Sequence, residues 1–206
     1  MVEKEEMIQT QLLGRNITDE KVIEAMEEVD RKDFIPEELH HLAYEDGTLP
    51  IGREQTISQP YIVAYMAQAL ELSPQDKVLE IGSGCGYNAA VMSRIAKQVH
   101  SVEIIEWLAQ TARENLENAD ISNVTVHLGD GYHGLPDEAP FDKIVLTAAA
   151  PVLPEKLKQQ LKVGGKLLAP IGMSIQTLVI IDRVTEDKFE THKLVGVRFV
   201  PMTGGA

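Results

Sequence analysis

The second half of the chain alternates short apolar runs with stretches of helical periodicity. The apolar runs lie at 78–81, 99–104, 124–128, 144–146 and 165–171, and the helical stretches at 87–97, 106–118 and 154–161. Strands that are buried on both faces read as near-continuous apolar runs, and parallel strands need crossovers that are usually helical. The alternation therefore predicts a mostly parallel, doubly wound α/β sheet.

Two further apolar runs close the chain without a clear helix between them. They span 177–184 and 193–200, and strands joined without a helical crossover pair most simply as an antiparallel hairpin. We therefore expect a seven-stranded sheet that is mostly parallel and has an antiparallel edge.

The first part of the chain is predicted to be mostly helical. Helical patterns cover 2–13 and 19–29, and Thr18 is placed to act as the N-cap of the second helix. Pro60 suits the first position of another helix, which runs to about Leu72. The sequence therefore predicts extra N-terminal helices before the sheet.

Residues 44–58 contain Gly and Pro and show no sustained period, which predicts a structured loop.

The 206 residues, 44% of them hydrophobic, are enough to bury one substantial core. We therefore expect one domain over 1–206, in which 1–75 supplies the helices and the substrate-side loop and 76–206 supplies the cofactor-binding sheet.

Charge and composition argue against several kinds of partner. The chain carries 19 Lys and Arg against 32 Asp and Glu, and its basic residues are scattered, so we expect no nucleic-acid partner. Cys85 is the sole cysteine and no histidine pair has ligand spacing on a predicted helix, so we expect no metal. The acidic start lacks the apolar core of a signal peptide and no apolar run reaches membrane-spanning length, which predicts a cytoplasmic protein without a membrane partner.

A glycine-rich segment follows the first strand of the predicted sheet and opens the next helix. It reads EIGSGCGY over 80–87, with Gly82, Gly84 and Gly86 at alternate positions. Glycine permits a tight turn and lets the backbone approach a ligand closely. In an open α/β sheet, nucleotide-like ligands bind at this junction. The alternative interpretation is a strand-to-helix turn without a ligand.

Acidic residues lie where the first three strands of the sheet end. Glu80 precedes the glycines, Glu103 ends the second strand, and Asp130 follows the third, with Gly131 beside it. Glu103 is placed to accept hydrogen bonds from a ribose diol, and Asp130 to meet an adenine edge. Because the glycine turn is accompanied by three acidic strand ends in series, we expect a nucleoside-type cofactor.

The charge beside the glycines discriminates between two such cofactors. A dinucleotide prefers the pattern G-x-G-x-x-G without a neighbouring carboxylate, whereas this chain carries G-x-G-x-G after Glu80 and has Tyr87 in place of the last glycine. Glu80 would repel a pyrophosphate but suits the ammonium and sulfonium of S-adenosylmethionine. The sequence therefore favours an S-adenosylmethionine-dependent methyltransferase over an NAD-linked oxidoreductase.

The fourth strand ends without the groups that an amine methyltransferase needs. Enzymes that methylate adenine or glutamine usually carry an Asn/Asp-Pro-Pro-aromatic tetrad there, and this chain reads TAAAP over 147–151. A carboxylate with a pKa of about 4 is ionised at neutral pH and can attack a sulfonium methyl without a general base. A carboxylate acceptor is therefore favoured.

Five segments, in order, resemble the protein L-isoaspartyl (D-aspartyl) O-methyltransferase family over nearly the whole chain. They are 55–60 (QTISQP), 78–87 (VLEIGSGCGY), 141–151 (FDKIVLTAAAP), 161–167 (LKVGGKL) and 198–203 (RFVPMT). Cys85 stands where serine is frequent in the family, and Met202 where leucine is. The resemblance implies S-adenosylmethionine as cofactor, isoaspartyl and D-aspartyl residues of damaged proteins as acceptors, and repair through a succinimide.

The resemblance also implies the residues of the site, with Ser58 as the active-site hydroxyl and Val200 as a source of backbone contacts to the peptide. The expected cofactor residues are Gln55, Thr56, Ile57, Val63, Glu80, Gly82, Gly84, Gly86, Glu103, Asp130, Gly131 and Thr203, and the expected peptide contacts are Thr56, Ile57, Ser58 and Val200. We expect a monomer, and an end of the chain at Ala206 implies a reduced C-terminal cover over the cofactor.

Two other function classes stay open. A methyltransferase of the same fold acting on another acceptor would share every cofactor residue but would not need the 56–58 loop. A cofactor-binding module without catalysis would bind S-adenosylmethionine and transfer no methyl group. Methyl transfer to an isoaspartyl peptide distinguishes both from the expected enzyme.

Overall fold

The computed structural model describes residues 2–205, which form a seven-stranded sheet, a separate two-stranded hairpin and a set of helices. The strands are β1 (Leu49–Gly52), β2 (Gln55–Ile57), β3 (Lys77–Ile81), β4 (Gln98–Glu103), β5 (Val124–Leu128), β6 (Phe141–Leu146), β7 (Leu161–Ile171), β8 (Gln176–Arg183) and β9 (Phe189–Val197). The α-helices are α1 (Lys4–Glu6), α2 (Glu20–Glu28), α3 (Pro60–Leu70), α4 (Tyr87–Ser93), α5 (Glu106–Asn118) and α6 (Glu155–Gln159).

The large sheet has the order β5-β4-β3-β6-β7-β8-β9. Its strands are parallel from β5 to β7, and β8 and β9 add to β7 as antiparallel neighbours. The predicted mostly parallel sheet with an antiparallel edge is therefore confirmed. The chain runs outward from β3 to β5 and then returns to place β6 on the other side of β3, which opens a crevice at the carboxyl ends of β3 and β6.

The sheet edge is longer than the apolar pattern indicated. Strand β7 begins at Leu161 rather than 165, and β9 begins at Phe189 rather than 193. Strand β9 has no buried residue along its length. A strand whose two faces both meet water carries polar residues such as Glu190 and His192, so hydrophobicity alone does not mark its beginning.

The N-terminal helices are less regular than predicted. The helix expected over 2–13 consists of α1, a π-helical turn at Met7–Leu12 and a 3₁₀ turn at Leu13–Arg15. The prediction of Thr18 as N-cap of α2 was wrong, because the Asp19 carboxylate accepts the Lys21 N–H and fills that role. Helix α3 begins at Pro60, as predicted.

A two-stranded hairpin stands where a loop was predicted over 44–58. Strands β1 and β2 pair antiparallel, with Leu49 opposite Ile57, and a two-residue turn at Arg53 and Glu54 joins them. Both turn residues have positive φ, 52° and 60°, as a type I′ turn requires. The hairpin buries Leu49, Ile51 and Ile57, so one of its faces belongs to the core.

The core unites the N-terminal helices with the sheet. One apolar cluster extends from Met7 and Met26 through Leu70 to Val78 and Leu168. A second cluster, which includes Phe141, Leu157 and Leu167, joins β6 and β7 to α6. Within residues 2–205, none of the helices combines the length and apolar character needed to cross a bilayer.

Candidate active site

A cleft of about 800 Å³ opens at the carboxyl ends of β3, β4 and β6. Its wall comes from the β2 hairpin strand, the glycine segment, the start of α5 and the C-terminal segment 200–203. Its position is that of a small-molecule site at a topological switch point. The predicted residues that line it are Gln55, Thr56, Ile57, Ser58, Val63, Gly82, Gly84, Glu103, Gly131, Val200 and Thr203.

The floor of the cleft is a glycine turn packed against the end of β6. Gly82 has φ of +98°, and a Cβ built there would lie 2.4 Å from Thr147 Oγ1. The Thr147 hydroxyl donates to the carbonyls of Ile81 and Gly82, which ties the turn to the fourth parallel strand. Position 82 therefore needs glycine both for its backbone conformation and for the close approach of its neighbour.

Glu80 lies beneath this floor and does not line the cleft. Its carboxylate is completely buried and accepts hydrogen bonds from Asn88 Nδ2, at 2.8 Å, and from the Ser101 hydroxyl. Burial raises the pKa of Glu80 to about 7, although both hydrogen bonds favour the charged form. Asn88, which donates to Glu80, does line the cleft, so the wall carries Asn88 where the sequence predicted Glu80.

Glu103 stands on the cleft wall at the end of β4. One carboxylate oxygen accepts the Gly84 N–H at 2.9 Å and the other accepts the Ile105 N–H at 3.0 Å. The side chain is 6% exposed and is held by two backbone donors. Glu103 lines the cleft, and its carboxylate keeps further lone pairs that could accept from a ribose diol.

Asp130 and Gly86 were expected in the cleft but lie outside its wall. Asp130 caps the 3₁₀ turn Gly131–His133 by accepting the Tyr132 N–H, and its other oxygen accepts the Gly205 N–H. Desolvation disfavours the charged form of Asp130, but the two backbone donors, together with the nearby His133 and Lys156, lower its pKa. Gly86 is buried against Ala112 of α5.

The C-terminal segment 200–203 forms another part of the cleft wall. The Ala149 N–H donates to the Val200 carbonyl, and the Met202 N–H donates to the Ala149 carbonyl, each at 2.8 Å. These bonds hold 200–203 beside the end of β6 and bring Thr203 to the cleft. The Val200 carbonyl is therefore already engaged within the chain.

Several lining residues were not predicted from the sequence. They are Ile81, Ser83, Cys85, Tyr87, Asn88, Val102, Ile104, Ile105, Leu108, Thr147, Ala148, Pro201 and Met202. Most lie within two positions of a predicted residue or in a recognised segment, and that proximity is the signal that could have found them. Burial raises the pKa of the Cys85 thiol to about 11.

The fold and this cleft define an S-adenosylmethionine-dependent methyltransferase. A solved protein-L-isoaspartate O-methyltransferase superposes with a TM-score of 0.89 at 31% identity, over 98% of this chain and 66% of that chain. A Plasmodium falciparum structure, described as a protein-L-isoaspartate O-methyltransferase in complex with S-adenosyl-L-homocysteine, superposes with a TM-score of 0.87 at 26% identity. That match covers 98% of this chain and 99% of the other.

The sequence comparisons narrow the class to one family. The model of the family "Protein-L-isoaspartate(D-aspartate) O-methyltransferase (PCMT)" matches residues 2–206. The protein-L-isoaspartate O-methyltransferase 2 of Pelobacter propionicus is 53% identical over 98% of this chain and 90% of the relative. The chain therefore belongs to the protein-L-isoaspartate(D-aspartate) O-methyltransferase family, and the family predicted from its five segments is confirmed.

Proposed function

We propose that this enzyme transfers a methyl group from S-adenosylmethionine to the free carboxylate of isoaspartyl residues in damaged proteins and peptides. The observation that carries the proposal is the meeting of Ser58 with Glu103 and the glycine turn in one cleft. The Ser58 hydroxyl, which can donate to an acceptor carboxylate, thus lines the same cleft as the Glu103 carboxylate and the glycine turn. The latter two suit a nucleoside, because the turn lets the backbone approach it closely. Family membership supplies the identity of the acceptor.

The chain's residues fit the cofactor in two respects. The turn at Gly82 and Gly84 presents a side-chain-free backbone to the cleft, and Glu103 offers lone pairs for a ribose diol. S-adenosylmethionine supplies an electrophilic methyl group on a sulfonium. We assign Gln55, Thr56, Ile57, Val63, Gly131 and Thr203 to the surrounding contacts, and Glu80, Gly86 and Asp130 to support from outside the wall.

The acceptor needs positioning more than activation. Its carboxylate is ionised at neutral pH, so an oxygen bonds to the methyl carbon while the carbon–sulfur bond breaks, and no proton is transferred. We assign to the Ser58 hydroxyl the hydrogen bond that orients this oxygen in line with the methyl group. Orientation of this kind contributes about 7–11 kcal/mol in favourable cases.

The substrate peptide is proposed to contact residues 56–58 and Val200. Because the Val200 carbonyl accepts the Ala149 N–H, the Val200 N–H is the group we assign to the peptide. The methyl ester converts a poor leaving group into a good one, so the product closes to a succinimide that reopens in part to normal aspartate. We extend the proposal to D-aspartyl acceptors. We further propose that the enzyme is monomeric and cytoplasmic and has no nucleic-acid partner. We propose one domain over 1–206 that divides near residue 75, of which residues 1 and 206 lie outside the described part.

Transfer of a tritiated methyl group to paired peptides tests the proposal. The two peptides differ only in Asp against isoAsp, and base-labile radioactivity released as methanol reports the ester. We expect label in the isoAsp peptide alone. Label in neither peptide, with S-adenosyl-L-homocysteine bound normally in calorimetry, would contradict the proposed acceptor and favour another acceptor or a silent module.

A further inference from the structure

Arg31 is a buried arginine that precedes the β1–β2 hairpin in the chain. Strand β2 of this hairpin contributes to the wall of the cleft. Arg31 begins the 3₁₀ turn Arg31–Phe34 and is 1% exposed. Burial lowers the pKa of its guanidinium, since a cation is disfavoured away from water. A buried charge of this kind needs strong partners to be tolerated.

The partners of Arg31 are backbone carbonyls. Its Nη1 donates to the Ala43 carbonyl, and its Nη2 donates to the carbonyls of Gly47, at 3.1 Å, and Ser58, at 2.9 Å. None of the ion pairs formed among residues 2–205 includes Arg31. Three carbonyl dipoles, rather than a carboxylate, thus hold the cation.

These carbonyls lie on both sides of the β1–β2 hairpin. Ala43 and Gly47 precede β1, and Ser58 directly follows β2. The guanidinium therefore joins the two ends of the segment 43–58, which carries the lining residues Thr56 and Ile57. Its planar fork can reach several acceptors with fixed geometry, which the single nitrogen of lysine cannot.

We propose that Arg31 is a positioning residue for methyl transfer, which acts by setting the backbone position of Ser58. The inference rests on the proposed role of the Ser58 hydroxyl. Arg31 does not line the cleft; it fixes the residue that aims the acceptor. Misplacement of a catalytic group by about 1 Å can lower a rate by roughly 100-fold. Replacement of the Arg31 guanidinium should therefore lower kcat measurably.

A double-mutant cycle between Arg31→Lys and Ser58→Ala tests this role. The measured quantities are kcat and KM for the isoAsp peptide, the Kd of S-adenosyl-L-homocysteine, and cooperative unfolding in urea. We expect Arg31→Lys to lower kcat about tenfold in the wild-type background but less than twofold in the Ser58→Ala background, since residues that act as a unit are not additive. The Kd should change by less than about threefold. Arg94→Lys, at an arginine paired with Glu28 away from the cleft, is the matched control and should leave kcat unchanged.

The outcomes separate this proposal from the proposed function. Equal losses of kcat in both backgrounds, or a large loss of cofactor affinity with normal kcat, overturn the role of Arg31. If Arg31→Lys does not fold, Arg31→Gln is measured in the same cycle, and failure of both variants to fold assigns Arg31 to stability alone and overturns the proposal. A wild-type chain that transfers no methyl group to the isoAsp peptide overturns the proposed function, and the Arg31 proposal with it, before any variant is compared.

Discussion

The two walls of the cleft are built in different ways. The cofactor side stands on the ends of parallel strands, where Gly82 packs on Thr147 and Glu103 is held by two backbone N–H groups. The acceptor side stands on a four-residue and a three-residue strand whose ends meet at a buried arginine. Under the proposed roles, cofactor binding depends mainly on the sheet, with added contacts from 55–57, whereas the placement of Ser58 depends on the small hairpin segment.

Variants on the two sides of the cleft are expected to affect different properties of the enzyme. Changes on the cofactor side should affect the stability of the protein, because the site shares its residues with the core. Changes at Ser58 and at the exposed hairpin turn should affect turnover while leaving folding and cofactor affinity nearly intact.

The largest effect is expected from Gly82→Ala. The added Cβ would lie 2.4 Å from Thr147 Oγ1 at a φ of +98°. Left-handed strain and overpacking together should lower the free energy of unfolding by about 2–5 kcal/mol, measured by urea unfolding. Gly164→Ala is the control, because its φ is +83° and no atom lies within 4 Å of the added Cβ. Equal losses in the two variants would contradict the tightly packed floor.

Glu80 should make stability depend on pH. Burial raises its pKa to about 7 from an ordinary value of 4.5, so the folded state binds the proton more tightly than the unfolded state does. Stability should therefore fall as pH rises from about 4.5 to about 7, by up to roughly 3 kcal/mol. Glu80→Gln should remove this fall.

Urea unfolding of the wild type and Glu80→Gln at about pH 5 and pH 8 measures this effect of the buried carboxyl. Glu54→Gln, at the exposed tip of the hairpin, is the control and should keep the wild-type pH dependence. Parallel pH profiles for wild type and Glu80→Gln would show that the carboxyl is not protonated in the folded enzyme.

Ser58→Ala should lower turnover without loss of cofactor affinity. A hydrogen bond to a charged group contributes about 1.5–3 kcal/mol, which corresponds to about 10- to 100-fold in kcat. Methyl transfer to the isoAsp peptide measures kcat, and calorimetry measures the Kd of S-adenosyl-L-homocysteine. Ser122→Ala, an exposed serine before β5, is the control. A large loss of affinity for S-adenosyl-L-homocysteine with normal kcat would show that Ser58 serves cofactor binding rather than acceptor positioning.

The smallest effect is expected from Arg53→Gln at the hairpin turn. The Arg53 guanidinium lies 5.5 Å from the centroid of the Trp107 ring on α5. Exposed cation–π contacts contribute about 0.5–1 kcal/mol, so we expect kcat/KM for the peptide to fall by about two- to fivefold. Lys32→Gln, which removes the cation 5.0 Å from the Tyr44 ring, is the control. A larger fall than for Ser58→Ala would show that the hairpin is held mainly at its tip.

The cofactor side could largely be predicted from the sequence. Strand periodicity locates the ends of β3 and β4, and the glycine spacing locates the turn, so Gly82, Gly84 and Glu103 were expected where they lie. Glu80 was misplaced because it lies within β3, one residue before the strand ends, opposite Ser101 of β4. Spacing along the chain does not reveal which face of the sheet such a side chain occupies.

The acceptor side could not be derived from periodicity. Hairpins of this type usually carry Asn-Gly or Asp-Gly in the turn, whereas this one has Arg53 and Glu54, so the local signal for a hairpin is absent. The expected role of Ser58 came from family resemblance alone. Arg31 gave no signal because its three partners are backbone carbonyls, which sequence letters do not encode.

Strand β9 ends the sheet with one edge that has no neighbouring strand in the large sheet. Such edges are prone to pair with foreign chains, and damaged, partly unfolded proteins offer strands of that kind. The charged side chains of Glu190 and Lys193 on β9 disfavour this pairing, as does Lys188 just before the strand. The charge on this edge thus acts against edge-to-edge aggregation through β9.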